Sequence, residues 1–361
     1  MNKLFVFQDN NNKYCTELKA GFNFIKGARK IDLNELNADY LINNKIDIVI
    51  ANGLPKEWYF ILKGLSIVTI TIDSINKYHD LSDIVIDSKS EDNNKYFTGK
   101  RYSIVQNKGL LFGEEIPFVE IVNLITKLNW DSDFFGFPIA YLSSRYLTEA
   151  IMFRSLQFIK KHNIKLVEYL CNCHDRKSVL IAERNKFDFV DIRLTYEKKI
   201  SEAKKIVLPD GINFGLAEKK DIEILKQISK NMYMDSRYFF DGKFDLKKVN
   251  EFYQSWVEKA VKGIFDDKCF CLFDDQEAIG FCSIKYNEMN AAKIGVVGLA
   301  SRYQGKGLAQ RMLTLVFNEL IKEQIGKLYV VTQGRNYAAQ RLYQKVGFLT
   351  KSTELWYHKW Y

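Results

Sequence analysis

At 361 residues with 47% hydrophobic and 14% aromatic content, the chain is long enough for two or three packed domains and too apolar for an extended disordered one. Its net charge of +9 is scattered among acids with no long run of like sign, which argues against a nucleic-acid-binding tail and suits a surface that tolerates anionic ligands. No stretch approaches the ~18 apolar residues of a membrane span, and the start Met1-Asn-Lys-Leu-Phe-Val-Phe turns polar too soon for a signal peptide, so a cytoplasmic protein without membrane insertion is expected.

Residues 1–112 alternate β-branched runs with helical patterns. The runs are Asp47–Ala51, Ser66–Ile72 and Asp83–Asp87, and the helical patterns are Asn34–Asn43 and Lys56–Lys63. Continuous apolar strands separated by helices predict a small parallel α/β domain covered on both faces. Gly109–Pro117 reads as a linker. A second unit, 118–205, carries predicted helices over Val119–Leu128 and Leu147–His162 and strands over Lys165–Leu170 and Val190–Lys198. Its Cys171-Asn-Cys173-His174-Asp175 has the look of a metal site, but the six cysteines contain no Cys-x-x-Cys and no second ligand cluster, so a strand end with reduced thiols and no metal is expected.

Residues 206–361 hold the most informative stretch. Lys293-Ile-Gly-Val-Val-Gly-Leu299 reads as a strand and Ser301–Gly307 as a loop with two glycines. Leu308, Met312, Leu313, Val316 and Leu320 then follow at helical spacing. A glycine loop opening a helix exposes unsatisfied backbone N–H groups at the positive end of the helix dipole, which is a phosphate site. Lys306 is followed by glycine rather than Ser or Thr, which excludes a Walker loop. Gln310 stands where a dinucleotide fingerprint has its third glycine.

The spacing Arg302-x-x-Gly305-x-Gly307 after an apolar strand resembles the acetyl-CoA-binding motif of the GCN5-related N-acetyltransferases. A second motif of that family follows as Asn336-Tyr-Ala-Ala-Gln-Arg-Leu-Tyr343-Gln-Lys-Val-Gly347-Phe348 behind the strand Lys327–Thr332. The pattern Leu180–Phe187 repeats as Arg341–Phe348, with Tyr343 falling on Ala182 and Asn336 on Asp175. Gly136 is the only glycine between 114 and 200. The implied architecture is a tandem pair of such lobes, the first degenerate (118–205) and the second complete (206–361), behind the α/β domain.

Two aromatic stretches, Leu128–Pro138 and Asp235–Asp241, resemble the paired-lobe members that acetylate nucleotide-linked amino sugars. The stretches Val68–Asp73, His79–Asp87 and Tyr96–Tyr102, within residues 45–105, resemble part of the N-terminal lobe of nucleotide-sugar hydrolases of the pseudaminate pathway. Those enzymes carry a glycine- and histidine-bearing loop after their first strand, where this chain has Gln8-Asp-Asn-Asn-Asn12 with neither, so a docking or scaffold role is expected.

The resemblance implies acetyl-CoA as acyl donor and site roles residue by residue. Gln304, Gly305, Lys306, Gly307, Leu308 and Ala309 would hold the pyrophosphate, with Arg302 adding charge. Val297 and Leu299 would pair with the pantetheine arm, and Asn336 would bond the cofactor. Tyr343 would protonate the departing thiolate. Asp131, Ser236, Arg237 and Asp241 are polar residues that could contact the acceptor or simply hold structure. For the general base, Asp241, Glu288 and a bound water stay open. The expected function is N-acetylation of a nucleotide-linked amino sugar for surface polysaccharide. A protein or small-amine acceptor and a non-catalytic acyl-CoA sensor are the alternatives. No nucleic-acid partner is expected, and a homodimer is the assembly to test.

Overall fold

The computed structural model describes residues 2–7, 28–51, 54–65, 67–72, 84–87, 97–98, 124–144, 146–287 and 290–361. The chain is mixed α/β and groups into two units, Met1–Asp188 with Tyr357–Tyr361, and Phe189–Trp356.

In the first unit, β1 (Asn2–Phe7), β2 (Ala28–Asp32), β3 (Ile46–Ala51), β4 (Val68–Ile72), β5 (Ile84–Asp87) and β6 (Phe97–Thr98) form a sheet in the order β2-β1-β3-β4-β5-β6. Every pairing in it is parallel. Ile46, Ile48, Val49, Ile50 and Ala51 of β3 are all buried, as a strand covered on both faces requires. Helix α1 (Ala38–Asn43) starts where the Asn37 side chain accepts from Tyr40 N, and α2 (Lys56–Gly64) starts behind Pro55. The six-stranded parallel sheet is the architecture expected for 1–112. The polar turns between its later strands, and the linker 109–117, lie outside the described residues.

The same unit continues with β7 (Ile125–Lys127), α3 (Asn129–Phe135), β8 (Ile139–Leu142), α4 (Glu149–Lys161), β9 (Leu166–Asn172) and α5 (Arg176–Arg184). The helix expected over Val119–Leu128 is corrected here. Residues 119–123 lie outside the described residues, and Ile125–Lys127 pair antiparallel with Leu142–Ala140. The helix begins instead at Asn129 and stops at Gly136, which takes φ 84. Cross-strand pairing, which a short apolar run does not reveal, decides the state of 125–127.

The second unit takes in β10 (Asp188–Lys199) almost whole, then β11 (Ile212–Leu216), α6 (Ile222–Ser229), α7 (Arg237–Asp241), α8 (Leu246–Val261), β12 (Lys268–Asp274) and β13 (Glu277–Asn287). It continues through β14 (Ala291–Leu299), α9 (Leu308–Lys322), β15 (Lys327–Gln333), α10 (Tyr337–Lys345) and β16 (Leu349–Trp360), whose last residues return to the first unit. The strands run β11-β12-β13-β14-β15-β10-β16. Leu308, Met312, Leu313, Val316 and Leu320 are buried along one face of α9, the stripe their spacing predicts.

The internal repeat is visible in three dimensions. Strands β9 and β15, helices α5 and α10, and strands β10 and β16 have matching lengths. Each pair is offset by 161 residues, the separation at which Arg193 bonds Glu354. The caps repeat too, with Asp175 accepting from Ser178 N and Asn336 from Ala339 N. So do left-handed residues, Asn163 with Gln324 and Lys186 with Gly347. Non-glycine residues adopt that region rarely, so the two coincidences mark a duplicated backbone rather than a duplicated composition.

Candidate active site

Strand β14 is held on both sides only for its first half. It pairs in parallel with β15 from Ala291↔Lys327 to Ile294↔Val330, and there that pairing stops. On its other side it pairs with β13 as far as Gly280↔Leu299. Between those stretches the register shifts: Cys282 faces Val297 and Ile284 faces Ile294, so Ser283 alone stands opposite Gly295 and Val296. This is a β-bulge, which bends and twists the strand that carries it. β14 therefore leaves β15 at the bulge, and a fork opens between them. β15 beyond the fork still pairs with β10, Val331 with Thr195 and Gln333 with Arg193.

Alternation along β14 decides what faces the fork. Ala300 N donates back to Ile279 O on the β13 side. Residues 298 and 300 thus direct their backbone groups toward β13, and Val297 and Leu299 direct theirs to the open edge. Two contacts agree: Val297 O accepts from the Tyr233 hydroxyl at 3.4 Å, and Leu299 O accepts from Gln304 Nε2 at 2.9 Å. An open strand edge with free N–H groups pairs with an extended ligand as another strand would.

A helix start lies at the end of the same strand. Gly305 and Gly307 have φ of 74 and 75, and a Cβ at either would meet nothing within 4 Å. Glycine is needed there for the left-handed turn, not for space. No side chain caps α9, and its first intrahelical bond is Arg311 N to Gly307 O, which leaves the preceding amides for a ligand. The loop is braced from outside. The Tyr303 hydroxyl bonds Asp274, and Arg302 pairs with Glu277 at 2.9 Å, so Arg302 brings a charge already partly compensated. Lys306 stands 5.6 Å from the Tyr303 ring centroid. Leu308 is buried and Ala309 packs against the same core, so these two offer backbone N–H groups rather than side chains. The Asn336 side-chain oxygen is engaged as the cap of α10, bonded to Ala339 N at 2.9 Å.

Tyr343 on α10 is 5% exposed and packs edge-on against Phe348 and beside Tyr196. Burial pushes its phenol well above the usual range, with Cys282 adding to the shift. Tyr233 lies within electrostatic range of Tyr343. The Tyr233 hydroxyl bonds the strand edge at Val297. Nothing in the local sequence marks Tyr233, because its hydroxyl's partner Val297 is 64 residues away.

The first copy of the repeat lacks each of these parts. Strand β8 pairs with β9 for four residues and ends at Leu142, so no free strand continues beyond the pairing. Helix α4 is closed by Thr148, which accepts from Ile151 N. Where Tyr343 stands in the second copy, the first has Ala182. In the first copy the ring of Tyr169 meets Phe187 and Tyr357. Those two rings are the repeat counterparts of Phe348 and Tyr196.

The polar residues 235–241 sit in a separate cluster of the second unit. Arg237 lies over the rings of Tyr238 and Trp356, at 4.2 and 4.3 Å, and donates to the Tyr238 hydroxyl. Ser236 is buried, and Asp241 accepts from Lys243 N at 3.2 Å. Asp131 belongs to the first unit, in the first turn of α3, where a carboxylate suits the helix dipole. Glu288 lies outside the described residues.

Two residues not foreseen from sequence complete the cluster. Arg335 stacks on Phe240 at 3.6 Å and bonds Val190 O and Asp191. Asp191 is 1% exposed, and burial pushes its carboxyl up to about 6 despite Arg335 and Arg237 nearby. Its folded value thus lies above the unfolded value near 3.8, so the folded state binds the extra proton. Stability should fall as pH rises from about 4 to about 6 on account of this group, and Asp191→Asn should flatten that fall in melting curves taken across the window.

Residues 232–348 match the acetyltransferase (GNAT) family model, and they are a GNAT domain. The dTDP-fucosamine acetyltransferase of Escherichia coli O6:H1 (strain CFT073) is 31% identical over 147 residues, covering 40% of this chain and 62% of that protein. The spore coat polysaccharide biosynthesis protein SpsD of Bacillus subtilis (strain 168) is 22% identical over 152 residues, covering 42% of this chain and 52% of that one. The chain thus spans between half and two thirds of the length of these two relatives. A GCN5-related N-acetyltransferase structure from Sphaerobacter thermophilus aligns with a TM-score of 0.46 at 14% identity, over 62% of this chain and 72% of that one.

Proposed function

We propose that the second copy of the repeat is an acetyl-CoA-dependent N-acetyltransferase acting on the amino group of a nucleotide-linked amino sugar. The observation that carries the reading is the fork: an open strand edge at Val297 and Leu299, an uncapped glycine helix start after it, and the buried, protonated phenol of Tyr343. The three parts suit the three regions of the donor. The amides from Gly305 to Ala309 would hold its pyrophosphate, the β14 edge its extended arm, and Tyr343 its sulfur. Val297 or Leu299 N–H would steady the carbonyl oxygen as the acceptor nitrogen attacks. Tyr343 would then supply the proton that the thiolate takes as the C–S bond breaks, and the proton shed by the acceptor nitrogen would pass to a bound water.

The sugar acceptor is supported by the names of the two relatives, one acting on dTDP-fucosamine and one serving polysaccharide biosynthesis. The guanidinium groups of Arg237 and Arg335 each stack on an aromatic ring; Arg335 is already paired with Asp191, and Arg237 is the group that would meet a nucleotide diphosphate. The N-terminal parallel sheet would serve as a docking or scaffold domain.

Thiol release from acetyl-CoA, followed over a panel of dTDP- and UDP-linked amino sugars, tests the reading. Turnover on one of them is the expected result. Binding of CoA with turnover only on a peptide or small amine would replace the sugar, and binding with no turnover at all would make this a sensor.

A further inference from the structure

The bulge that opens the fork has a buried lock of its own. Ser283 Oγ accepts from Val296 N at 2.9 Å and donates to Asp266 Oδ2 at 2.6 Å. The amide that the bulge withdraws from the β13–β14 ladder is thereby satisfied by a side chain. Ser283 is fully buried and Asp266 nearly so. Gly295, the other bulge residue, makes room for the pair: a Cβ there would stand 2.3 Å from Asp266 Oδ2 and 2.7 Å from Ser283 Oγ. All three positions are thus committed to one backbone geometry.

That geometry fixes which groups reach the fork. A shift of register by one residue would exchange the two edges of β14, turning Val297 and Leu299 toward β13 and Val296 and Gly298 outward. Gly298 is itself pinned, since a Cβ there would meet the Phe281 ring at 2.4 Å. The strand therefore has a defined register on either side of the bulge, and the lock sits at the one place where it changes.

We propose that Asp266 and Ser283 are positioning residues, which hold the β14 bulge so that the Val297 and Leu299 amides face the donor's extended arm. The proposal rests on the acetyl-CoA reading of the fork. It separates two parts of one ligand: the lock governs the strand edge, while the pyrophosphate loop begins only after Leu299.

Isothermal titration of the full chain with acetyl-CoA and with 3′-phosphoadenosine 5′-diphosphate, which lacks the pantetheine arm, tests it. In Ser283→Ala and Asp266→Ala the acetyl-CoA affinity should fall about tenfold and that of the diphosphate should stay within about twofold. Asp266→Asn keeps an acceptor for the Ser283 hydroxyl and should bind both as the wild type does. Gly295→Ala, which evicts Asp266, should copy Asp266→Ala. If Asp266→Ala does not melt cooperatively, the nearly isosteric Ser283→Ala decides. Equal loss of both ligands in Ser283→Ala, or unchanged acetyl-CoA binding, would overturn the lock while the acetyl-CoA reading stands. A wild type that binds neither ligand would overturn that reading, and the lock with it.

Discussion

Tyr343→Phe should lower turnover by about 10²–10³-fold on whichever acceptor the wild type accepts, with acetyl-CoA affinity held within about twofold. The ring stays, so its packing against Tyr196 and Phe348 stays, and the melting temperature should move little. What goes is one proton donor. The phenol suits that duty because burial holds it protonated above its ordinary range. Any alkaline loss of wild-type activity near pH 9 must then arise from another group, and the pH profile should keep its plateau there as far as this residue is concerned. Steady-state thiol release across pH 6–10, with CoA titrations of both proteins, measures both points. A variant with unaltered turnover would remove Tyr343 from the chemistry. One that no longer bound CoA would make it a binding residue.

The legible part of this site is the part written locally. Gly305 and Gly307 announce a left-handed loop because no other residue takes those angles freely, and the stripe from Leu308 to Leu320 announces the helix behind it. Tyr343 and Asn336 both stand out through one motif, although the structure has the Asn336 oxygen on Ala339 N. The parts that sequence did not disclose are long-range. Ser283 acts with Val296 and Asp266, and Arg335 with Asp191, 144 residues away. A serine in a strand carries no sign that it will fill a bulge. The same limit produced the helix expected over 119–128, since only its partner strand shows Ile125–Lys127 to be extended.

The two copies of the repeat bear on whether the fork is a site or an accident of packing. Both keep the capped helix α5 or α10, the left-handed residue after it, and the strand that follows. Those are the features that packing alone would retain. The first copy lacks the free strand, the open helix start and the tyrosine together. The strand edge and the loop are tied by the Gln304–Leu299 bond, but the tyrosine on α10 belongs to a different element, and packing gives little reason for all three to be present in one copy and missing from the other as a set. A shared ligand supplies one.

Gly307→Val should weaken acetyl-CoA binding by about 30-fold or more and leave the fold standing. A β-branched residue at φ 75 is strained by roughly 1–3 kcal/mol, and the loop relieves the strain by turning residue 307 back toward negative φ. That rotation swings the first amides of α9 away from the direction in which a phosphate would meet them. Because a Cβ at 307 meets nothing within 4 Å, the damage is confined to backbone direction. Gly263 is a matched control, with φ 68 and equally open space after the end of α8. Gly263→Val should cost a similar few degrees of melting temperature with no effect on binding. Titration calorimetry and melting curves on both variants separate the two contributions. Equal losses of affinity in the two would mean that the amides at the start of α9 are not where the pyrophosphate is held.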